Sequence, residues 1–532
     1  MAEGSAPRGD QVRAAEVIAA LCLATDLGTG LPFEHGLQST LIASRLASCL
    51  GVDEETARQT YYACLLFYSG CTADAEVAAE IFDPQAMARY FNPVIFGSRA
   101  EIFGGILRAI APPGDAPAVR AARIARRLPR AIRAYPPHLT ALCEVAQMLT
   151  HRLGLGSSVS DLFVVLTERW DGKGEPGRLR GAEIPLALRI VHVARDAALH
   201  HALGGTEEAL RVVRERSGGA FDPEIASAFE RHTAELMTFD PLGSAWEETL
   251  ASEPGRLTSL HEAGVDRALS AMGDFADLAS PFFVGHSAGV AELVADAAIV
   301  SGFDAAEVVA TRRAALVHEV GRVSVPVRVW QRPGPLTADE WERVRLHPYY
   351  TQRVLANSPF LSKLAAVATC EHERIDGSGY HRNARGPALG RAARLLAAAD
   401  AYHALTEPRP QRAAFSGSEA AKIAAAEVRA GRLDGGAVAA VVQAASGKRP
   451  RIERAAGLTE REAQVIGLLA RGLQTKQIAR TLGISVKTAD HHVQSAYGKI
   501  GVSTRAAAAL FAMEHGLATW GELPIAGDAK PL

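Results

Sequence analysis

At 532 residues the chain has room for about three domains, and its 48% hydrophobic, 22% charged and 6% aromatic composition is that of an ordinary globular protein biased towards helix. No apolar run reaches the roughly 18 residues of a membrane span, and six scattered cysteines without a CxxC pair point to reduced thiols of a cytoplasmic protein rather than a disulfide frame. The formal charge of −2 is unevenly placed: from Lys448 onwards 12 Lys and Arg face 7 Asp and Glu, a surplus of +5 that leaves −7 on the remainder. A basic tail on an acidic body predicts that only the tail meets a polyanion.

The first apolar stretch, VIAALCLAT, stands between Glu3, Asp10 and Glu16 on one side and Asp26 on the other, a context unlike that of a signal peptide. Beyond it the chain repeats itself. His35 precedes an apolar-periodic stretch and LLFYSG, ending at Gly70; His286 precedes a similar stretch and LVHEVG, ending at Gly321, with 35 residues from histidine to glycine in each. ERWDGKGEP (Glu168 to Pro176) answers ERIDGSGYH (Glu373 to His381), and RIVHVARDA (Arg189 to Ala197) answers RLLAAADAY (Arg394 to Tyr402). RSGGAFD and RAGRLD close the two series at Asp222 and Asp434. Landmarks in one order predict a duplicated domain, residues 12–235 and 256–446, and helical spacing such as Val290, Leu293, Val294 and Ala297 makes both copies all-α.

The second copy gathers His286, His318, Glu319, His347, Glu371, His372 and Asp400. Imidazole nitrogens mixed with carboxylate oxygens suit Fe, Mn or Zn. Together with HE-GR (His318 to Arg322), PGPLTADEWERVRLHP (Pro333 to Pro348), EHERIDGSGY and AADAYHALTEPRP, these residues resemble the HD-GYP branch of the HD metal-dependent phosphohydrolases over nearly all of 280–415. The resemblance implies a helical fold, a divalent-metal cluster held by those seven residues, Glu319 and Arg322 as catalytic candidates, and a cyclic dinucleotide such as cyclic di-GMP as substrate. Departures stand beside the match. Glu319 replaces an aspartate, Arg322 a lysine and Glu371 a histidine, and Phe282 stands where a glutamate serves a third metal. In the first copy the chemistry is gone: Phe67 and Tyr68 align with His318 and Glu319, Thr167 with His372, and Arg195 with Asp400. Its ERWDGKG turn survives, so that turn is expected to be structural.

SGKRPRIERAAG reads as a linker, 447–457. From Leu458 to Leu517, Thr459 with Glu462 forms a capping box, Gly472 and Gly483 stop two helices, and Ser485 caps a third, a helix-turn-helix order. On the third helix Val486, Ala489, Val493, Tyr497 and Ile500 are expected to be core, and Lys487, Asp490, His491, Gln494 and Ser495 to face outwards. LTERE, QIARTLGIS, KT..HH and YGKIGV..R make the segment resemble the LuxR/GerE DNA-binding domain. That resemblance implies phosphate contacts by Lys487, Thr488, His492, Lys499 and Arg505 and base reading by Asp490, His491 and Gln494, on double-stranded DNA and as a homodimer.

The expected architecture is all-α, a duplicated HD-domain-like module followed by a small four-helix LuxR-type domain over 458–517. The expected function is a cytoplasmic transcriptional regulator with an HD-GYP-like sensory or phosphodiesterase-like module. Two alternatives stand beside it: a cyclic di-GMP phosphodiesterase with a DNA-binding tail, and an inactive helical interaction scaffold.

Overall fold

The computed structural model describes residues 12–73, 80–82, 86–239, 244–447 and 455–518. Most of the linker expected at 447–457 lies outside them. The chain divides into two compact units, with the boundary after Ala268, and the second unit includes the C-terminal helices. Almost all regular structure is helical; the described strands are two short segments, β1 (Val12–Arg13) and β2 (Ser259–Leu260), paired antiparallel. Ser259 and Leu260, placed in the second copy from sequence, therefore pair with the start of the first.

In the first unit, α1 (Ala14–Thr29) holds the apolar stretch, with Val17 to Leu23 all buried: it is core. It is followed by α2 (His35–Cys49), α3 (Glu54–Leu65), α4 (Arg99–Ile110), α5 (Pro117–Arg152), α6 (Leu186–Arg216), α7 (Pro223–Leu236) and α8 (Ala245–Ala251). The central α2 packs against α3, α6, α7 and α8. The boundary falls within α9 (Glu262–Asp277). The second unit continues with α10 (His286–Val300), α11 (Ala305–Leu316), α12 (Ala338–Arg345), α13 (His347–Leu355), α14 (Pro359–Ala368), α15 (Arg391–Leu405), α16 (Gly417–Arg429) and α17 (Gly435–Ser446). Here α10 is central and packs on α11, α15 and α17. Reciprocal capping boxes at Asp304/Glu307, Thr337/Glu340 and Ser416/Glu419 fix the starts of α11, α12 and α16. No helix among the described residues is long and apolar enough to cross a membrane, and all six cysteines are free.

The landmarks of the repeat do the same work in both units. Arg189 donates to Asp222 (2.6 Å) and Arg394 to Asp434 (3.4 Å), and each aspartate caps the helix that follows it. A Cβ on Gly70 would lie 2.0 Å from the Leu142 carbonyl oxygen, and one on Gly321 would lie 2.2 Å from that of His347. Both glycines let two backbones meet where no side chain fits. The first unit takes 72 residues from Gly70 to Leu142, where the second takes 26 from Gly321 to His347. The excess contains α4 and the N-terminal half of α5.

Candidate metal centre and nucleic-acid interface

Helix α10 begins on His286. Gly285, at φ 82°, turns the chain into it, and Asp277 at the end of α9 accepts from Ser287 N (2.8 Å) and Oγ (3.0 Å). The first unit repeats this with Asp26, which accepts from Gly36 N at 3.2 Å after Glu34 at φ 70°. The turn after α11 brings in His318, Glu319 and Arg322; α13 starts on His347; the loop after α14 supplies Glu371 and His372; and α15 supplies Asp400. The seven sequence-predicted ligands thus converge from separate elements, and six of them are buried, His372 being partly exposed.

They form two donor groups that share Glu319. In one, His286 Nε2 lies 3.2 Å from Asp400 Oδ1 and 3.9 Å from Glu319 Oε1, and His318 Nε2 lies 3.8 Å from Asp400 Oδ1. In the other, His347 Nε2 lies 3.0 Å from Glu319 Oε2 and 3.7 Å from Glu371 Oε1, and His372 Nε2 lies 3.8 Å from Glu319 Oε1. Ligand atoms of His286, His318, Glu319 and Asp400, and separately of Glu319, His347 and His372, fall within 4.8 Å of one another.

Ring orientation is fixed from behind. His318 Nδ1 donates to the Ala315 carbonyl and His347 Nδ1 to that of Val344, both at 2.6 Å, so each ring is held with its Nε2 turned into the site. His286 Nδ1 faces Glu407 Oε2 at 3.0 Å. The inward Nε2 atoms of His286, His318 and His347, Glu319 Oε2 and both Glu371 oxygens are buried and make no well-aligned hydrogen bond, their close polar neighbours being other members of the same cluster. Buried polar atoms are normally satisfied, and a divalent cation is what this donor set accepts. The residues therefore fit a metal. The opposing feature is Arg322, whose guanidinium pairs with Glu319 and stacks over Phe283 at 3.9 Å.

Protonation follows the same geometry. Burial opposes charge on His286, but Glu407 and Asp400 outweigh it and raise the imidazole to about 10. Burial lowers His372 to about 4, leaving a neutral ring. Burial also opposes ionisation of Glu319, yet Arg322 and His347 hold its carboxyl well below the usual range. Burial and then the Glu319 charge push Glu371 well above that range.

A cleft of about 730 Å³ opens on this floor, with His347, His372 and Asp400 in its lining. Its walls carry Arg322, Arg332, Arg409 and Arg412 together with Phe283, Trp330, Trp341 and Tyr380. Tyr380 lies over His372, ring centroids 4.4 Å apart. Sequence reasoning missed Glu407, which His286, His403 (3.2 Å) and Arg409 (2.8 Å) all touch. Its signal was the four-residue spacing of His403 and Glu407 inside a motif already singled out. Asp277 was missed too, although an Asp-Leu pair precedes the key histidine by nine residues in both copies.

The corresponding place in the first unit is filled by a cation. Arg195 donates to Tyr68 and Asp196 through short contacts and to the Asn92 carbonyl at 3.1 Å, and Arg216 pairs with Asp196. Burial, then the Arg195 charge, push His35 down to about 3. The surviving turn is structural in both units. Glu168 Oε1 accepts from Arg178 N (2.7 Å), and Glu373 accepts from Arg382 N (3.1 Å) and Ala384 N (2.9 Å). Gly172 and Gly377 take φ of 70° and 82°.

The C-terminal segment forms α18 (Glu460–Ala470), α19 (Thr475–Thr481), α20 (Val486–Ile500) and α21 (Arg505–Glu514). The Thr459/Glu462 capping box and the Ser485 cap are present. Lys487, Thr488, Asp490, His491 and Gln494 are exposed along α20, and His492 is partly so. One core expectation fails, and three of the polar groups are engaged within the domain. Val486 is 50% exposed at the first turn of α20, where the face it shares with Ala489 and Val493 ends, whereas Ala489, Val493 and Ala496 make the core. Lys499 Nζ lies 2.6 Å from Glu462 Oε2, and Ser495 Oγ donates to Glu462 Oε1 at 2.7 Å, so neither is a free outward group. Arg505 donates to the Leu469 carbonyl (2.9 Å) and that of Leu473, closing the end of α18.

The chain matches the HD-domain family over residues 128–225 and 270–436, and the luxR family of bacterial regulatory proteins over 456–512. It is 27% identical over 412 residues to the 3'3'-cGAMP-specific phosphodiesterase 3 of Vibrio cholerae, covering 75% of this chain and 88% of that protein. It is 34% identical over 145 residues to the cyclic di-GMP phosphodiesterase response regulator RpfG of Xanthomonas campestris, covering 27% of this chain and 38% of that protein. The crystal structure of a cyclic GMP-AMP-specific phosphodiesterase of V. cholerae superposes with a TM-score of 0.57 at 24% identity, covering 82% of this chain and 99% of that one, and so shares the fold.

Proposed function

The chain belongs to the HD-domain family and ends in a luxR-family domain, and on that premise we propose that it is a DNA-binding transcriptional regulator whose second helical module takes a metal and a cyclic dinucleotide. The DNA-binding half is supported by α20, which leaves Lys487, Asp490, His491 and Gln494 exposed after a helix-turn-helix entry. Two copies on two half-sites is the arrangement such a module normally takes.

The observation that carries the ligand half is the set of orphaned buried donors beneath an arginine- and aromatic-lined cleft. His286, His318, Glu319 and Asp400 would hold one ion, and His347, His372, Glu371 and the shared Glu319 a second, with Fe, Mn or Zn suited to these donors. Bound there, divalent ions would stabilise charge on a phosphoryl oxygen and make water a stronger nucleophile. The chain's own groups do the rest. Arg322, Arg409 and Arg412 offer guanidiniums to phosphates, and Trp330, Trp341 and Tyr380 offer faces to bases. Relatives whose names specify 3'3'-cGAMP and cyclic di-GMP support that ligand class.

Hydrolysis is the second reading, favoured by the unpartnered Nε2 atoms and opposed by the Arg322–Glu319 pair. Incubating the purified protein with Mn or Fe and either dinucleotide separates the two. Binding without turnover keeps the regulator and removes the enzyme. Turnover abolished by His318→Ala establishes the enzyme. The regulator itself predicts salt-dependent duplex binding that Lys487→Ala weakens; duplex binding untouched by that change counts against it.

A further inference from the structure

The excess segment of the first unit carries a charge pattern that the duplicated fold does not require. Between Ala116 and Cys143 there is no acidic residue, and six arginines fall in it: Arg120, Arg123, Arg126, Arg127, Arg130 and Arg133. The N-terminal half of α5 sorts them onto two sides. Ile124, Leu128, Ala131 and Ala134 pack against Ile81, Phe82, Ile106, Ile110 and Ala111, which fixes the inner face. Arg120 and Arg127 bond the Ala111 (3.4 Å) and Ile81 (3.2 Å) carbonyls, and Arg123 pairs with Asp115.

Arg126, Arg130 and Arg133 go the other way. All three are exposed, and none has a hydrogen bond or ion pair among the described residues. Steps of four and three residues place them in one stripe; Ala122, Ala125 and Pro129 beside it are exposed and small, and Val119 and Ile132 are exposed apolar residues of the same segment. A solvated surface helix usually interleaves charges of both signs; this one has a single sign on a body that otherwise carries a surplus of acid. The stripe is about 10 Å long at 1.5 Å per residue, about three nucleotides of one strand at 3.4 Å each. Low side chains between the arginines allow close approach to a smooth polyanion.

We infer that this arginine stripe of α5 binds the phosphate backbone of double-stranded DNA without regard to sequence, as a second DNA contact apart from the C-terminal domain. It goes beyond the regulator reading, under which only the tail meets a polyanion. The partner is fixed by charge complementarity: three unpaired guanidiniums in a row match regularly spaced phosphates.

The test measures binding of the full chain to a random-sequence duplex by fluorescence anisotropy at several KCl concentrations. The triple change Arg126→Gln, Arg130→Gln, Arg133→Gln is expected to lower the slope of log affinity against log salt by about 2–3 and to weaken binding about tenfold or more at low salt. Its melting temperature should stay unchanged, since the three side chains bond nothing among the described residues. The corresponding Arg→Lys triple retains charge and should keep the slope. Lys487→Ala alone should lower the slope by about 1, independently. An unchanged slope and affinity in the glutamine triple overturns the stripe while leaving the C-terminal domain intact; a loss there with Lys487→Ala silent overturns the C-terminal reading instead. If the glutamine triple keeps duplex binding but loses binding to polyglutamate, the surface serves an acidic protein and the inference is wrong.

Discussion

Glu407 Oε2 lies 3.0 Å from His286 Nδ1, so the carboxylate sits behind the imidazole whose Nε2 points into the donor cluster. A carboxylate in that position sets the ring's orientation and raises its basicity as a ligand. Glu407→Ala should lower metal affinity by about 10–100-fold, read by competition with a chelating dye, while His318→Ala should remove an ion from the metal content outright. Glu407→Gln, which keeps a hydrogen-bonding group, should fall between the parent and the alanine variant.

The two close-approach glycines give a stability test. Because a Cβ on Gly321 would meet backbone atoms of His347 and Thr351 at 2.2 and 2.3 Å, Gly321→Ala should destabilise its unit by about 1–3 kcal/mol or more. Gly70→Ala, facing the Leu142 carbonyl at 2.0 Å, should do the same in the first unit. Thermal or denaturant unfolding reads both.

The C-terminal domain has an acid-sensitive brace. Burial opposes ionisation of Glu462, but hydrogen bonds from Lys499, Ser495 and Thr459 outweigh it and bring the carboxyl down from 4.5 to about 2. A folded value below the unfolded one means that the contribution is fully present above about pH 4.5 and is lost as pH falls towards about 2. Amide protection factors across α18 and α20, taken against the intrinsic exchange rate at each pH, should therefore fall over that window, and Glu462→Gln should flatten the response.

Exposed and engaged cations of that domain should behave differently. Lys487→Ala should weaken duplex binding about equally on all sequences, and changes at Asp490 or Gln494 should alter which sequence is preferred. Lys499→Ala and Arg505→Ala should instead reduce stability, because one removes the partner of Glu462 and the other the guanidinium on the α18 carbonyls. Equilibrium binding set beside melting curves separates the two classes.

What was legible in the sequence was whatever recurs at fixed spacing. The seven candidate ligands, the repeat, the structural glycine turn and the helix caps depend on local order or on a pattern present twice, and the structure brings the seven candidates together. The pairing of Lys499 with Glu462 depends on how α20 crosses α18, which no local pattern states. Val486 obeyed the helical period yet stayed exposed, since periodicity gives a face and not the length over which a neighbour covers it. Glu407 was readable in principle, but its role becomes evident only once α15 is seen to bring it behind His286. The sorting of six arginines into three packed and three free likewise required the partner surface at Ile81 and Ile110.

In the first unit Arg195 and Arg216 pair with Asp196 of the same helix, α6, and tie that helix to Tyr68 and to the Asn92 and Pro93 carbonyls with charges that are part of the polypeptide itself. In the second unit the equivalent place holds the donor set to which the proposed function assigns ions. On that proposal one half would be complete as synthesised, whatever the metal supply, and the other would vary with it. A chelator should then destabilise the second unit and leave the first unchanged, since the central bond of one is encoded and that of the other would be collected.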